Sequence, residues 1–176
     1  LLTQPLRTRF GITEKLVPYS APEIHEILLR SAGRLGCDLE STAAQRVADR
    51  ARGVPRVANR LLRRLRDVAD LSSDGRITEE VVDTGLQMLG IDTLGLEDMD
   101  RRILGSLARL GGGPAGLGTL AVAVGEEEDT LELVYEPHLI RLGFLARTPR
   151  GRVLTDAART HLGLEFPEHP GSLFDG

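Results

Sequence analysis

The segment Arg147-Thr148-Pro149-Arg150-Gly151-Arg152 carries three guanidinium groups in six residues of a chain whose formal net charge is -4. A guanidinium presents a planar fork of donors that matches the oxygens of phosphate and carboxylate. Pro149 and Gly151 do not let a helix continue. The flanking runs "FLARTP" and "RVLT" fit two short strands, so Arg150 and Gly151 become the tip of a β-hairpin. Such a tip offers exposed charge on a narrow support, suited to backbone contact or minor-groove entry on a nucleic acid. Edge strands also carry charge simply to resist aggregation.

A second cationic element is "RGVPRVANRLLRRLRD". On a helical wheel Val57, Leu61, Leu62, Leu65, Val68 and Ala69 share one arc, with Arg56, Arg60, Arg63, Arg64 and Arg66 opposite. Gly53-Val54-Pro55 delivers Arg56 to the first turn, where free N–H groups and the helix dipole favour an anion. Arg56 is therefore a candidate contact for nucleotide phosphates. A solvated basic face is the commoner use of such a helix, and the helix alone does not separate the two. Arg7 and Arg9 in "PLRTRFG" sit where no long helix fits, and either could reach a phosphate on a neighbouring subunit. Two arginines in a loop are more often just solvated.

Other chemistries find no support. His25, His138, His161 and His169 are widely separated, without matching Cys or carboxylate spacing, so no metal site is expected. No GxSxG, HExxH or GxxxxGK[ST] occurs, and Lys15 is the only lysine. The run Glu126 to Asp129 has no partner acid or nucleophile and reads as a solvated turn. Cys37 is alone, which excludes an intramolecular disulfide and fits a reducing cytoplasm. No apolar run approaches the roughly 18–20 residues of a membrane span, so a soluble cytoplasmic protein is expected.

Hydrophobic content is 41% but aromatics only 3%, which favours packed helices built from Leu, Val, Ile and Ala. Residues 1–20 show no long helical period and read as the end of a domain whose body lies upstream. Over residues 21–90 four short helices are expected: one with Ile24, Ile27, Leu28 and Leu35 inward, closed by Gly36; one capped by Ser41; one from Pro55 to about Leu71; and one capped by Thr78. Residues 91–164 read as helix, a flexible "GGGPAGLG" break, short helix, longer helix, hairpin and final helix. The longer helix places Leu131, Val134, Tyr135, His138, Leu139 and Leu142 on one side, with a kink at Pro137. That order is a winged-helix arrangement, a helix-turn-helix with an added β-wing, and it favours DNA contact by the hairpin. The acidic "GEEEDT" start of the longer helix would repel phosphate, so contact should run through the wing. Residues 165–176, rich in Pro and Gly, are expected to be disordered.

Taken in order, "PLRTRFGI", "RGVPRVANRLLRRLRD", "MDRRIL", "GGPAGL", "GEEEDTLE", "EPHLI" and "GFLARTPRGR" resemble the RuvB family of Holliday-junction branch-migration AAA+ ATPases over residues 1–164. The resemblance implies a mainly α fold, with an AAA+ lid helical bundle followed by a winged-helix domain with a short wing. It implies that the chain is a C-terminal fragment, without the P-loop and Walker B segments and inactive as an ATPase by itself. Arg56 matches the lid arginine that senses ATP, Arg9 and Tyr19 match pocket-lining positions, and Arg7 or Arg9 resembles the arginine finger. Arg147 and Arg152, with Arg150 between them, match the DNA-contacting wing, whereas Glu128 stands where some members carry a further DNA-contacting arginine. The implied cofactors are ATP and Mg2+, the ion bound by the missing large domain. The implied partners are duplex DNA at four-way junctions, RuvA, RuvC through the junction complex, and further copies of the chain in a hexameric ring. The alternative is a stand-alone winged-helix regulator with a helical dimerisation domain.

Overall fold

The computed structural model describes residues 17–72 and 74–163. Arg7 and Arg9 lie outside the described residues, as do most of the 1–20 segment and the 165–176 tail. The chain divides into two compact units, Leu1–Leu89 and Gly90–Gly176.

The first unit contains α1 (Ala21–Leu35), α2 (Ser41–Arg50), α3 (Pro55–Ser72) and α4 (Glu79–Met88). Helix α1 opens with a capping box in which the Glu23 carboxylate accepts from the Ser20 backbone N–H at 2.8 Å, and it ends at Gly36 with φ 67°. Ile24 and Leu28 of α1, Ala44 and Val47 of α2, Leu61, Leu62 and Leu65 of α3, and Val82 of α4 are almost fully buried together. The small α2 side chains let the neighbouring helices approach closely.

Three details differ from the sequence expectation. Leu35 is exposed and Ala32 is buried instead, because the buried stripe of α1 runs Ile24, Leu28, Ala32 at i, i+4 spacing. Ser41 is the first helical residue rather than the cap; Glu40 holds the cap position, and the Ser41 hydroxyl lies 3.1 Å from His25 Nε2. Two strands too short to show a period, β1 (Asp38–Leu39) and β2 (Arg76–Ile77), pair in parallel and tie the α1–α2 loop to the α3–α4 loop.

The second unit contains α5 (Asp98–Arg109), α6 (Leu117–Val124), a composite helix α7, strands β3 (Leu145–Thr148) and β4 (Gly151–Leu154), and α8 (Asp156–His161). Its core gathers Ile103, Leu104 and Leu107 of α5, Leu120 and Val124 of α6, Leu131 and Leu139 of α7, and Leu145 and Leu154 of the hairpin. Arg102 Nη2 donates to the Val124 carbonyl at 2.7 Å and closes the C-terminus of α6.

Helix α7 is α-helical over Glu128–Thr130, π-helical over Leu131–Tyr135 and α-helical again over Glu136–Arg141. Pro137 has no N–H, and its ring would collide with the carbonyl four residues earlier in an α-helix. The wider π turn upstream relieves that collision, with the Glu136 N–H donating to the Leu131 carbonyl. The irregularity therefore precedes the proline, and it changes the helical phase. Val134, expected inward, is 57% exposed, whereas Glu136 is buried.

The "GGGPAGLG" segment is not a flexible break. Ala115 bridges Arg152 of β4, donating to its carbonyl at 2.9 Å and accepting from its N–H at 2.8 Å, and the Leu154 N–H donates to the Gly112 carbonyl at 2.8 Å. Gly151 (φ 134°) is required at this junction, since a Cβ there would land on the Ala115 carbonyl. The hairpin is thus backed by a third extended segment, in the register Leu145↔Leu154 to Thr148↔Gly151.

Candidate functional site

Two arginine clusters stand out, one in each unit. In the first unit the chain enters α3 through two successive left-handed residues, Arg52 (φ 59°) and Gly53 (φ 70°). This reversal presses Gly53 against the residues before α1: the Tyr19 N–H donates to the Gly53 carbonyl at 2.9 Å. A Cβ on Gly53 would lie 2.5 Å from the Tyr19 carbonyl and 2.7 Å from Pro18 Cβ. The backbone of Tyr19 is therefore fixed beside the start of α3, and the Tyr19 ring is half exposed.

Arg56 is the second residue of α3, exposed, with no ion-pair partner among the described residues. It shares a groove of about 330 Å³ with Ser31, Arg34 and Leu35 of α1 and with Asn59 and Arg63 of α3. Three guanidiniums meet there without a carboxylate in the lining, and Asn59 Oδ1 is buried without a partner. The three guanidiniums, though not the acceptor oxygen of Asn59, suit an anion such as a phosphate. The groove offers no carboxylate for Mg2+, which would have to be held by other residues. The contribution of Arg34 escaped the sequence, because a wheel drawn for one helix does not show which residues of another face it.

In the second unit the wing arginines are not equivalent. Arg147 and Arg152 are cross-strand partners, and both reach back to helix α7. Arg147 donates from Nε and Nη2 to Glu136 Oε2 at 2.7 and 2.6 Å, while Arg152 Nε donates to Glu136 Oε1 at 2.7 Å. The Glu136 side chain is 2% exposed, that of Arg152 16% and that of Arg147 44%. Glu132, one turn earlier, lies 3.2 Å from Arg147 Nη1 and 3.7 Å from Arg152 Nη2. Arg150, at the tip, is exposed, and its guanidinium makes no ion pair among the described residues. Thr148 shapes that tip: its hydroxyl donates to the Gly151 carbonyl at 2.9 Å and accepts from the Arg150 N–H at 3.3 Å. The sequence treats all three arginines as one exposed cluster; the structure leaves only Arg150 wholly open. Glu136 was legible only as an acid before a proline, since its burial depends on the π turn.

Glu128 opens α7 exposed, followed by Asp129, so the start of this helix is acidic where it faces solvent. The negative groups sit at the positive end of the helix dipole, which favours them there.

A four-helix bundle with a cationic groove, followed by a helix-turn-helix unit with a β-wing, defines a helical ATPase lid joined to a winged-helix domain. The family model of the RuvB AAA lid domain matches residues 19–92, and that of the RuvB C-terminal winged helix domain matches residues 93–163. The chain belongs to the RuvB family. It is 53% identical over 172 residues to the Holliday junction branch migration complex subunit RuvB of Saccharopolyspora erythraea, covering 97% of this chain and 49% of that protein. The Mycobacterium avium protein of the same name is 53% identical over 167 residues, covering 94% of this chain and 48% of that one. Among solved structures, the Thermotoga maritima RuvB Holliday junction branch migration motor superposes with a TM-score of 0.91 at 45% identity, over 94% of this chain and 56% of that chain. The chain spans about half the length of the curated relatives it matches.

Proposed function

We propose that this chain is the lid and winged-helix part of an ATP-driven motor subunit that moves duplex DNA during Holliday-junction branch migration. The observation that carries this reading is the likeness over both units, in order, to relatives named for that complex. The geometry supports it at two points. Arg56 offers an unneutralised cation at a helix start, where a terminal phosphate can be bound and its loss felt. The wing offers Arg150, and beside it Arg147, to a DNA backbone, a contact that carries no sequence information and suits translocation.

ATP supplies the phosphoryl chemistry when bound. The residues described here would bind its phosphates through Arg56, while Arg7 or Arg9 would supply a finger to a neighbouring subunit. Mg2+ and the P-loop and Walker B groups belong to a large domain outside this sequence, so the chain by itself should not hydrolyse ATP. The working form is a hexameric ring acting with RuvA and, through the junction complex, RuvC, in the cytoplasm. No described helix is long and apolar enough to cross a membrane.

Branch migration by a full-length protein carrying this chain tests the reading. Arg56→Ala is expected to abolish ATP-driven migration while leaving duplex binding in place. Undiminished migration by that variant would overturn the assignment of Arg56.

A further inference from the structure

Glu132 and Glu136 hold the same two arginines in different ways. Glu136 is buried and takes the inner edges of both guanidiniums, Nε and Nη2 of Arg147 and Nε of Arg152, at 2.6–2.7 Å. Glu132, 38% exposed, touches the outer nitrogen of Arg147, Nη1, at 3.2 Å, and lies 3.7 Å from Arg152 Nη2, which already donates to Glu136 Oε2 at 3.4 Å. The inner carboxylate fixes where the guanidiniums point. The outer one occupies the side of them nearest to solvent, in the position from which an approaching anionic oxygen would bind. Two arginines and two glutamates cancel in formal charge, so the root of the wing is neutral as it stands; without Glu132 it carries one net positive charge.

We infer that Glu132 is a placeholder for a DNA phosphate. On binding, a backbone phosphate takes its place on Arg147 Nη1, Glu132 swings into solvent, and Glu136 remains as the positioning residue for both arginines. A half-exposed carboxylate on long ion-pair contacts is cheaply returned to water, whereas the buried one is not. The exchange lowers the net gain of each grip, which suits a protein that must release one phosphate and take the next. This inference rests on the proposed DNA contact by the wing.

The test is the affinity of the chain for a fluorescein-labelled duplex, measured by anisotropy over a salt series. The variants are Glu132→Gln, Arg147→Ala, Arg150→Ala, the Glu132→Gln/Arg147→Ala double variant, and Asp129→Asn, which removes an exposed carboxylate of the same helix that pairs with neither arginine. Glu132→Gln is expected to tighten binding about threefold to tenfold and to steepen its salt dependence by up to about one counterion. Asp129→Asn should tighten it less than about twofold, and Glu132→Gln should lose its effect once Arg147 is gone. Equal gains from Glu132→Gln and Asp129→Asn, an undiminished gain in the Arg147→Ala background, or weaker binding by Glu132→Gln would overturn the placeholder. If Arg147→Ala and Arg150→Ala both bind as tightly as the unaltered chain, the wing does not contact DNA and the underlying reading fails.

Discussion

The two arginine clusters use one residue type under opposite electrostatic conditions. In the lid unit Arg34, Arg56 and Arg63 line a groove with no carboxylate, so their charge is uncompensated within that groove. In the winged-helix unit Arg147 and Arg152 are matched by Glu132 and Glu136, and one of those carboxylates is buried. Uncompensated guanidiniums repel one another mildly and are affordable only because they are solvated. Compensated ones hold a hairpin in place. Arginine content alone therefore does not locate a binding surface; the position of the acids decides which cations are free.

The sharpest break in this comparison is at Glu136. Glu136→Ala would leave two guanidiniums, one of them largely buried, without their main partner. Removing one member of a buried ion pair costs about 3 kcal/mol, and the winged-helix unit should lose about that much in chemical denaturation. Truncating Arg56, which has no ion-pair partner among the described residues, should change stability by less than about 0.5 kcal/mol. Similar losses at the two positions would mean that the clusters do not differ as described.

Gly53→Ala comes next. The new Cβ meets the Tyr19 carbonyl at 2.5 Å, and the backbone must keep φ at 70°. A strained left-handed residue together with that collision predicts a loss of about 2 kcal/mol in the lid unit. Gly36→Ala shares the left-handed φ but meets nothing within 4 Å, so it should lose about 1 kcal/mol. The difference between the two measures the contact of Gly53 with the Pro18–Tyr19 backbone.

Much of this was legible in the sequence, and the exceptions have physical causes. The helices of both units follow from the 3.6-residue period of their apolar positions, as in α3, and from caps such as Thr78, whose hydroxyl accepts from the Val81 N–H. The resemblance to the RuvB family, carried by seven short motifs, holds over both units. What could not be read are features created by tertiary pairing. The Ala115–Arg152 bridge turns a glycine-rich stretch into a third extended segment. The π turn rotates Glu136 into the interior and Val134 out of it. Strands β1 and β2, two residues each, have no period to detect. The free groove arises where α1 meets α3, and a helical wheel treats only one helix at a time.

Smaller still is the effect of the open cation at the tip. Arg150→Ala should weaken duplex binding modestly and lower the salt slope by about 0.9, the share of one phosphate contact on B-DNA. Folding should be unaffected, since that guanidinium pairs with nothing among the described residues. A change in thermal midpoint without a change in salt slope would place Arg150 with the structural arginines.

The smallest expected effect concerns the solvated ion pairs of the lid. The Glu79 carboxyl is held below its ordinary value of 4.5 by a hydrogen bond from the Thr42 hydroxyl and then by Arg46, and Glu23 is held low by the Ser20 hydroxyl and backbone N–H. A lowered folded-state pKa means that the unfolded chain takes up protons first as the pH falls. The contribution of these groups is thus complete above about pH 4.5 and is lost as the pH drops through their lowered folded values. Acid titration of the urea midpoint should show that loss in the lid unit, and Glu79→Gln should flatten part of it. Glu23 is exposed and Glu79 half-exposed, so salt should weaken the effect, whereas the Glu136 contacts of the wing should persist in salt. Equal salt sensitivity in the two units would remove the distinction between solvated and buried ion pairs.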